Sequence, residues 1–257
     1  MHRRELLSLG ILALVPQIRA GAQAPPPDLV SDLVAGNHIL ANENVLDGYG
    51  HISARLPGNR NRFLLSRSLA PESVTAADIM EHDLEGAPID AKGRTPYKER
   101  FIHSAIYRAR PDVNAVVHCH TPSLIPFSVT GVPLRPMYHQ AAFLAAGVPV
   151  FEIRDVAGMT NMLIETAGLG AALARRLADK PAVLMRGHGA VVVADSIPNV
   201  VGRSIYMDLN ARIQLQAIQL VGPRSGPITA LTPEEAQKYA ASDNYARAWE
   251  LWKKKAR

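Results

Sequence analysis

The sequence predicts one α/β domain with a mixed central sheet covered by helices on both faces. Short β-like runs alternate with segments of helical period, no Gly-rich phosphate loop interrupts them, and no repeat or linker divides the chain after residue 24. With 257 residues and a hydrophobic fraction of 47%, the chain can build a substantial core. The formal charge of +5 is scattered rather than gathered into basic runs, which argues against a nucleic-acid partner and for a small anionic substrate. Cys119 is the single cysteine, so an intrachain disulfide and a cysteine-based zinc cluster are both excluded. Any metal must be held by His, Asp or Glu.

Residues 1–24 read as a removable export signal, leaving 25–257 as the catalytic domain. His2-Arg3-Arg4 supplies the charged start and Leu6 to Val15 the apolar run. Ala20-Gly21-Ala22 or Ala22-Gln23-Ala24 supplies the small-residue cleavage site. The apolar run is too short to span a bilayer, so no stable membrane anchor is expected. The arginine pair also resembles the start of a twin-arginine signal, and the expected destination is the periplasm. If the segment were retained, the chain would stay in the cytoplasm.

The elements follow in order. Asp28 to Val45 has apolar residues at helical spacing and stops at Asp47-Gly48. His51–Leu56 and Arg62–Ser66 are β-like, joined by the turn residues Pro57-Gly58-Asn59, and a further strand fits Ile79–Leu84. Lys98–Arg110 is helical and closed by Pro111. A buried strand, Ala115–His120, follows at once. Helical pieces are expected over Ser123–Val129 and His139–Ala146, a strand over Val148–Ile153 and an Ala/Leu-rich helix over Asn161–Leu177. Ala182–Ala194 is a β segment broken by Gly187-His188-Gly189. Ser196–Leu220 is the longest helix, and the last one begins at Thr232-Pro233-Glu234-Glu235, a capping box with proline in the first turn.

The chemistry concentrates in three histidines. Strand side chains alternate faces, so His118 and His120 point the same way and can chelate one ion. Read alone, the pair is equally consistent with solvent-facing strand-end histidines. His188 stands in Arg186-Gly187-His188-Gly189, where glycines let the backbone bend and another element approach. Three neutral imidazoles leave one tetrahedral position open, the mark of a catalytic rather than a structural metal.

Tyr97-Lys98-Glu99, the run Arg110-Pro111-Asp112-Val113-Asn114-Ala115-Val116-Val117-His118-Cys119-His120-Thr121, and Arg186-Gly187-His188-Gly189 with the long helix after it resemble the class II aldolase/adducin family. The resemblance runs from the first helix to about Leu220. It implies a three-layer αβα domain with a mainly antiparallel sheet, one divalent metal ion per subunit on His118, His120 and His188, and Glu99 as the acid/base. It also implies a carbon–carbon lyase that stabilises an enediolate or carbanion beside the metal, and a homotetramer. Zinc leads among the metals that imidazoles accept, with manganese, cobalt and iron as alternatives.

Where the family's sugar-phosphate aldolases carry G-N, T-G and S-S-E, this chain has Gly50-His51, Arg67-Ser68 and Tyr97-Lys98-Glu99. Bulky and cationic groups replace small hydroxyl donors, which speaks against a phosphate cradle and for a carboxylate. Gly50, His51, Ser53, Arg67, Ser68 and Lys98 are the expected substrate contacts. Tyr138 and His139 are added because the family often borrows a tyrosine from a neighbouring subunit. The pattern resembles the decarboxylase-like members, which act on hydroxylated acids including dihydroxylated aromatic carboxylates. The alternatives are a sugar or sugar-phosphate aldolase or epimerase, a metal-dependent hydrolase or hydratase, and a non-enzymatic adducin-like scaffold. Tyr245, Trp249 and Trp252, at i, i+4 and i+7, read as a packing stripe. His38, His82 and His103 lack metal spacing and read as core or surface residues, with a supporting place behind the metal site as the alternative for His103, four residues after Glu99 on the same helix.

Overall fold

The computed structural model describes residues 25–222, 227–240 and 245–256. The expected export signal, 1–24, lies outside them. The chain runs α1 (Pro27–Asn42), β1 (His51–Arg55), β2 (Arg62–Ser66), β3 (Ile79–Asp83), α2 (Arg100–Ala109), β4 (Ala115–Cys119), α3 (Ile125–Val129), β5 (Val150–Phe151), α4 (Arg154–Ala157), α5 (Ala167–Leu177), β6 (Ala182–Met185), β7 (Gly189–Ala194), α6 (Ile197–Val221), α7 (Pro233–Ala240) and α8 (Ala246–Lys255). The strands form one seven-stranded sheet in the order β3-β2-β1-β4-β7-β6-β5. Every neighbouring pair is antiparallel except β5 with β6.

Period-two alternation divides the core between the two faces of this sheet. Ala115, Val117 and Cys119 of β4 join Val192 and Ala194 of β7 under α1, α6 and α8. Val116 of β4 joins Val191 and Val193 of β7 under α2 and α5. The aromatic stripe of Tyr245, Trp249 and Trp252 is buried against α6, where a side chain at Gly202 would collide with the Tyr245 ring. The capping box before α7 forms, with the Thr232 amide donating to Glu235 Oε2 at 2.8 Å and the Glu235 amide to Thr232 Oγ1 at 3.2 Å. No helix among the described residues is long and apolar enough to cross a membrane.

Three expected elements come out differently. The helix expected from Asn161 begins only at Ala167, where the Thr166 hydroxyl accepts from the Leu169 amide. Met162 takes a left-handed backbone, and the polar backbone groups of 161–165 serve the site described below. Residues 139–146 form 3-10 turns rather than an α-helix, with Ala141 outside helical geometry. The strand expected over 148–153 shortens to Val150–Phe151, an edge strand held by β6 alone.

On the α2 side of the sheet the core is not wholly apolar. His82 of β3 is fully buried and stacked on Phe63, with ring centroids 5.2 Å apart, and neither ring nitrogen has a hydrogen bond of acceptable geometry. Burial disfavours the imidazolium and the nearby Met80 backbone opposes this only in part, so the pKa falls from 6.5 to about 4. Between those values the unfolded chain binds a proton that the folded chain refuses. The neutral ring's contribution to stability is therefore complete above about pH 6.5 and is lost as the pH falls toward 4. At pH 5 the loss amounts to roughly 2 kcal/mol. His82→Phe keeps the stacking without the proton. Its urea midpoint should fall less than that of the parent between pH 7 and pH 5, and equal falls in both proteins would disprove the role.

Candidate metal centre

Antiparallel pairing brings the start of β1, the end of β4 and the start of β7 to one end of the sheet. His51 is registered opposite His118, and Cys119 opposite Ala190. The β6–β7 turn, closed by the His188 amide donating to Met185 O at 3.0 Å, therefore projects His188 over the end of β4. Two glycines make this possible. Gly187 adopts a φ of +62°, which is costly for other residues, and a Cβ on Gly189 would overlap the Cys119 carbonyl. The positioning of His188 thus depends on strand β7 pressing against β4 without a side chain between them.

Glu99, His118, His120 and His188 converge so that their ligating atoms all lie within 4.8 Å of one another. Each imidazole has its Nδ1 turned to an acceptor: His118 to Ala190 O at 3.1 Å, His188 to Met162 O at 3.1 Å, and His120 to Asp47 Oδ1 at 3.1 Å. Carbonyls and carboxylates only accept, so each Nδ1 carries the hydrogen and each Nε2 presents a lone pair. The Nε2 atoms of His118 and His120 are 3.1 Å apart and those of His120 and His188 are 3.3 Å apart. Lone pairs so close repel unless a cation lies among them. Three imidazoles with a neighbouring carboxylate form a donor set suited to a divalent metal, with acceptors behind each ring fixing its orientation.

Glu99 occupies the N-cap position of α2 but makes no capping bond. Its Oε1 instead accepts from the Ile164 amide at 2.8 Å, while Oε2 lies 3.4 Å from His118 Nε2 and 3.5 Å from His188 Nε2. Burial works to raise its pKa, but positive charge at the His118 and His188 end of the cluster, the place a cation would take, outweighs it and holds the carboxyl well below the usual range. The side chain is therefore an ionised, nine-tenths buried base at the heart of the cluster.

The expected substrate contacts are distributed unevenly. His51 is buried beside the cluster, its ring centroid 5.2 Å from that of His118 and 4.4 Å from that of Tyr97. Burial, then the neighbouring His103 and His118, push its pKa well below 6.5. Gly50 allows close packing: a Cβ there would strike Leu46 and the His118 carbonyl. Arg67 is engaged through Nε with Asp78 Oδ1 at 2.6 Å, leaving its terminal nitrogens for an outside anion. Ser68 and Lys98 are exposed on the two chain segments joined by the Ser68 amide to Thr95 O bond.

One expectation needs correction. Ser53 is fully buried, with its hydroxyl used by His103 and Tyr107, so it lies behind His51 and cannot touch substrate. Tyr138 packs on Tyr206, and His139 on Tyr239, away from the cluster of their own chain, so the expected part for either would be played at a neighbouring copy's site. Their apolar and aromatic surroundings hold them there.

Asp47, read from the sequence only as part of a helix stop, proves central. Its Oδ1 accepts from the Tyr49 and Gly50 amides at 2.9 Å each and faces His120 Nδ1. Burial tends to raise its pKa, but these bonds more than offset it and lower the value. The segment 162–164 was likewise illegible, since its contribution is made by backbone groups. Asp47→Asn should weaken metal affinity roughly 10- to 100-fold by loosening the His120 ring. Competition against a chromophoric chelator measures this, and unchanged affinity would remove the assignment.

The class II aldolase and adducin N-terminal domain matches residues 31–215. Decarboxylase tropJ of Talaromyces stipitatus is 38% identical, with 87% of this chain and 92% of that protein covered. A 3,4-dihydroxyphthalate decarboxylase of Arthrobacter keyseri is 32% identical over 72% of this chain and 76% of that protein. The structure of an L-fuculose 1-phosphate aldolase from Glaciozyma antarctica superposes with a TM-score of 0.69 at 25% identity, covering 89% of this chain and 86% of that one. From sheet order, metal-ligating cluster and these likenesses together, the chain belongs to the class II aldolase/adducin family and is a metal-dependent lyase of that family.

Proposed function

We propose that this chain is a decarboxylase of a small hydroxylated aromatic carboxylic acid. The observation that carries the reading is an ionised Glu99 set against three converging imidazoles, in a chain similar over most of its length to proteins named as decarboxylases. The departure from a small-residue phosphate cradle supports it, because His51, Arg67 and Lys98 stand where the family's sugar-phosphate aldolases carry small residues.

A divalent cation, when bound by His118, His120 and His188, supplies Lewis-acid polarisation of substrate oxygens worth several kcal/mol. The remaining work falls to side chains. Ionised Glu99 takes the proton of a ring hydroxyl, which turns the phenol into an electron-releasing phenolate. The phenolate pushes electron density onto the carbon that bears the carboxylate, and Glu99, now protonated, delivers its proton there. The bond to the carboxylate then breaks, its electron pair restores the aromatic ring, CO₂ departs and Glu99 is ionised for the next cycle. The ionised resting state suits this order, since Glu99 must begin as the base. Burial of Glu99 behind the Ile164 amide keeps the carboxylate aimed and excludes bulk water from the transferred proton.

We further read the metal as zinc, the assembly as a homotetramer and residues 1–24 as an export signal that delivers the protein to the periplasm. Three neutral nitrogen donors favour zinc. Apolar side chains left on the surface, including Val129, Val132, Val156 and Met159, support association of copies.

Glu99→Gln should retain metal and lose CO₂ release by at least about a hundredfold, as removal of a general acid/base does. His120→Ala should lose metal and turnover together. Metal analysis paired with a screen of hydroxylated benzoates and phthalates for CO₂ release checks both, and an undiminished rate in Glu99→Gln would overturn the acid/base role. Sizing of the mature protein should give four copies, and a fully active monomer would contradict the tetramer.

A further inference from the structure

Behind the metal centre, the face of β1 that packs on α2 carries a chain of hydrogen bonds. Tyr107 Oη lies 2.7 Å from Ser53 Oγ, Ser53 Oγ lies 2.6 Å from His103 Nδ1, and His103 Nε2 lies 2.7 Å from His51 Nδ1. None of these four residues is more than 1% exposed. The order begins deep in the core at Tyr107 and ends at His51, beside the His118 ring.

Such a chain has two possible polarities, and a count of hydrogens chooses between them. The Tyr107 hydroxyl has Ser53 as its only hydrogen-bond partner among the described residues. If His51 donated to His103, His103 to Ser53 and Ser53 to Tyr107, the phenolic hydrogen would be buried with nothing to accept it, which is unfavourable. In the reverse direction the three hydrogens within the chain find acceptors, and the unmatched one moves out to His51 Nε2, which is not among the sealed, unpartnered polar atoms of the core. Tyr107 donates to Ser53, Ser53 to His103 Nδ1, and His103 Nε2–H to His51 Nδ1. Neutral His51 must then carry its own hydrogen on Nε2. No described residue accepts from that nitrogen, on the other edge of the ring from His103.

We propose that Tyr107, Ser53 and His103 are positioning residues that lock His51 as an Nε2–H donor beside the metal centre, where it holds the carboxylate of the substrate. The identity of the anion rests on the decarboxylase reading, whereas the polarity of the chain does not. The arrangement gives the two sets of histidines opposite tautomers: hydrogen on Nδ1 for His118, His120 and His188, and on Nε2 for His51 and His103. A neutral donor also fits the chemistry. The carboxylate loses its charge as CO₂ forms, so a cation against it would stabilise the ground state more than the transition state, while an N–H orients it at less cost.

The test is two-bond ¹H–¹⁵N correlation spectroscopy of the metal-loaded protein labelled in histidine. Both His51 and His103 should show the Nε2–H pattern; the Nδ1–H pattern at either one, or exchange between the two, would overturn the relay. Ser53→Ala should abolish the single tautomer at His51 and weaken binding of 3,4-dihydroxybenzoate about tenfold, the effect of one lost hydrogen bond, leaving catechol binding unchanged. Ser53→Thr, which keeps the hydroxyl, should restore both. Equal weakening for the two probes would reduce Ser53 to a structural role, and no weakening for either would remove it from recognition; both overturn the proposal. If neither probe binds the parent protein, the carboxylate assignment fails together with the decarboxylase reading, while the tautomers still decide the relay.

Discussion

Three imidazole lone pairs, two of the separations between them 3.1 and 3.3 Å, face one another and a buried carboxylate at one end of the sheet. Without a cation this arrangement is repulsive, and it persists because each ring is gripped from behind by a different part of the fold. Ala190 of β7 holds His118, the carbonyl of Met162 holds His188, and Asp47 in the loop after α1 holds His120. Strand order is what brings these three acceptors together. β7 must lie against β4 with Gly189 at the contact, and the segment before α5 must leave helical geometry to present Met162 O and the Ile164 amide.

Helix α2 connects the centre to the interior. Glu99 stands at its N-terminus, with His103 and Tyr107 four and eight residues further on, so that one stripe of the helix carries the base and the two groups that reach β1. The opposing stripe of β1, His51 and Ser53, follows from period-two alternation, while Ile52 and Ala54 turn to the apolar face. A polar seam of this kind is tolerable in a core only when its hydrogen bonds are complete, and here they close from Tyr107 to His51. His82, one strand further out, lacks that closure and stays neutral at the expense of acid stability.

Both clusters use histidine, yet the chain distinguishes them by what stands on Nδ1. Acceptor-only groups behind His118, His120 and His188 turn their Nε2 lone pairs toward a metal. A hydroxyl and a second imidazole behind His51 leave it a donor. One residue type thus serves as ligand and as hydrogen-bond donor within 5.2 Å, centroid to centroid, of itself, and neighbouring groups rather than residue identity assign the roles.

The histidine pair at 118 and 120 was legible in the sequence because strand alternation is local, and His188 because flanking glycines mark a backbone that must bend and be approached. The α/β class, the stripe of Tyr245, Trp249 and Trp252 and the capping box at Thr232 followed from the same short-range rules. Asp47 and Tyr107 were not legible as parts of a site, and His103 only as a residue one helical turn from Glu99, since what gives them their roles is the pairing of β1 with β4 and the packing of α2 across them, contacts between residues about 50 to 75 positions apart. Met162 and Ile164 act through backbone atoms that every residue possesses, so no side-chain pattern could announce them. Ser53 shows the converse, a residue type suited to a site that packing turned elsewhere. Sequence by itself determined the fold class and which side chains could serve as ligands. Tertiary structure decided the orientation of every ring, because a tautomer is set by the partner on its far nitrogen, and that partner arrives only when distant segments meet.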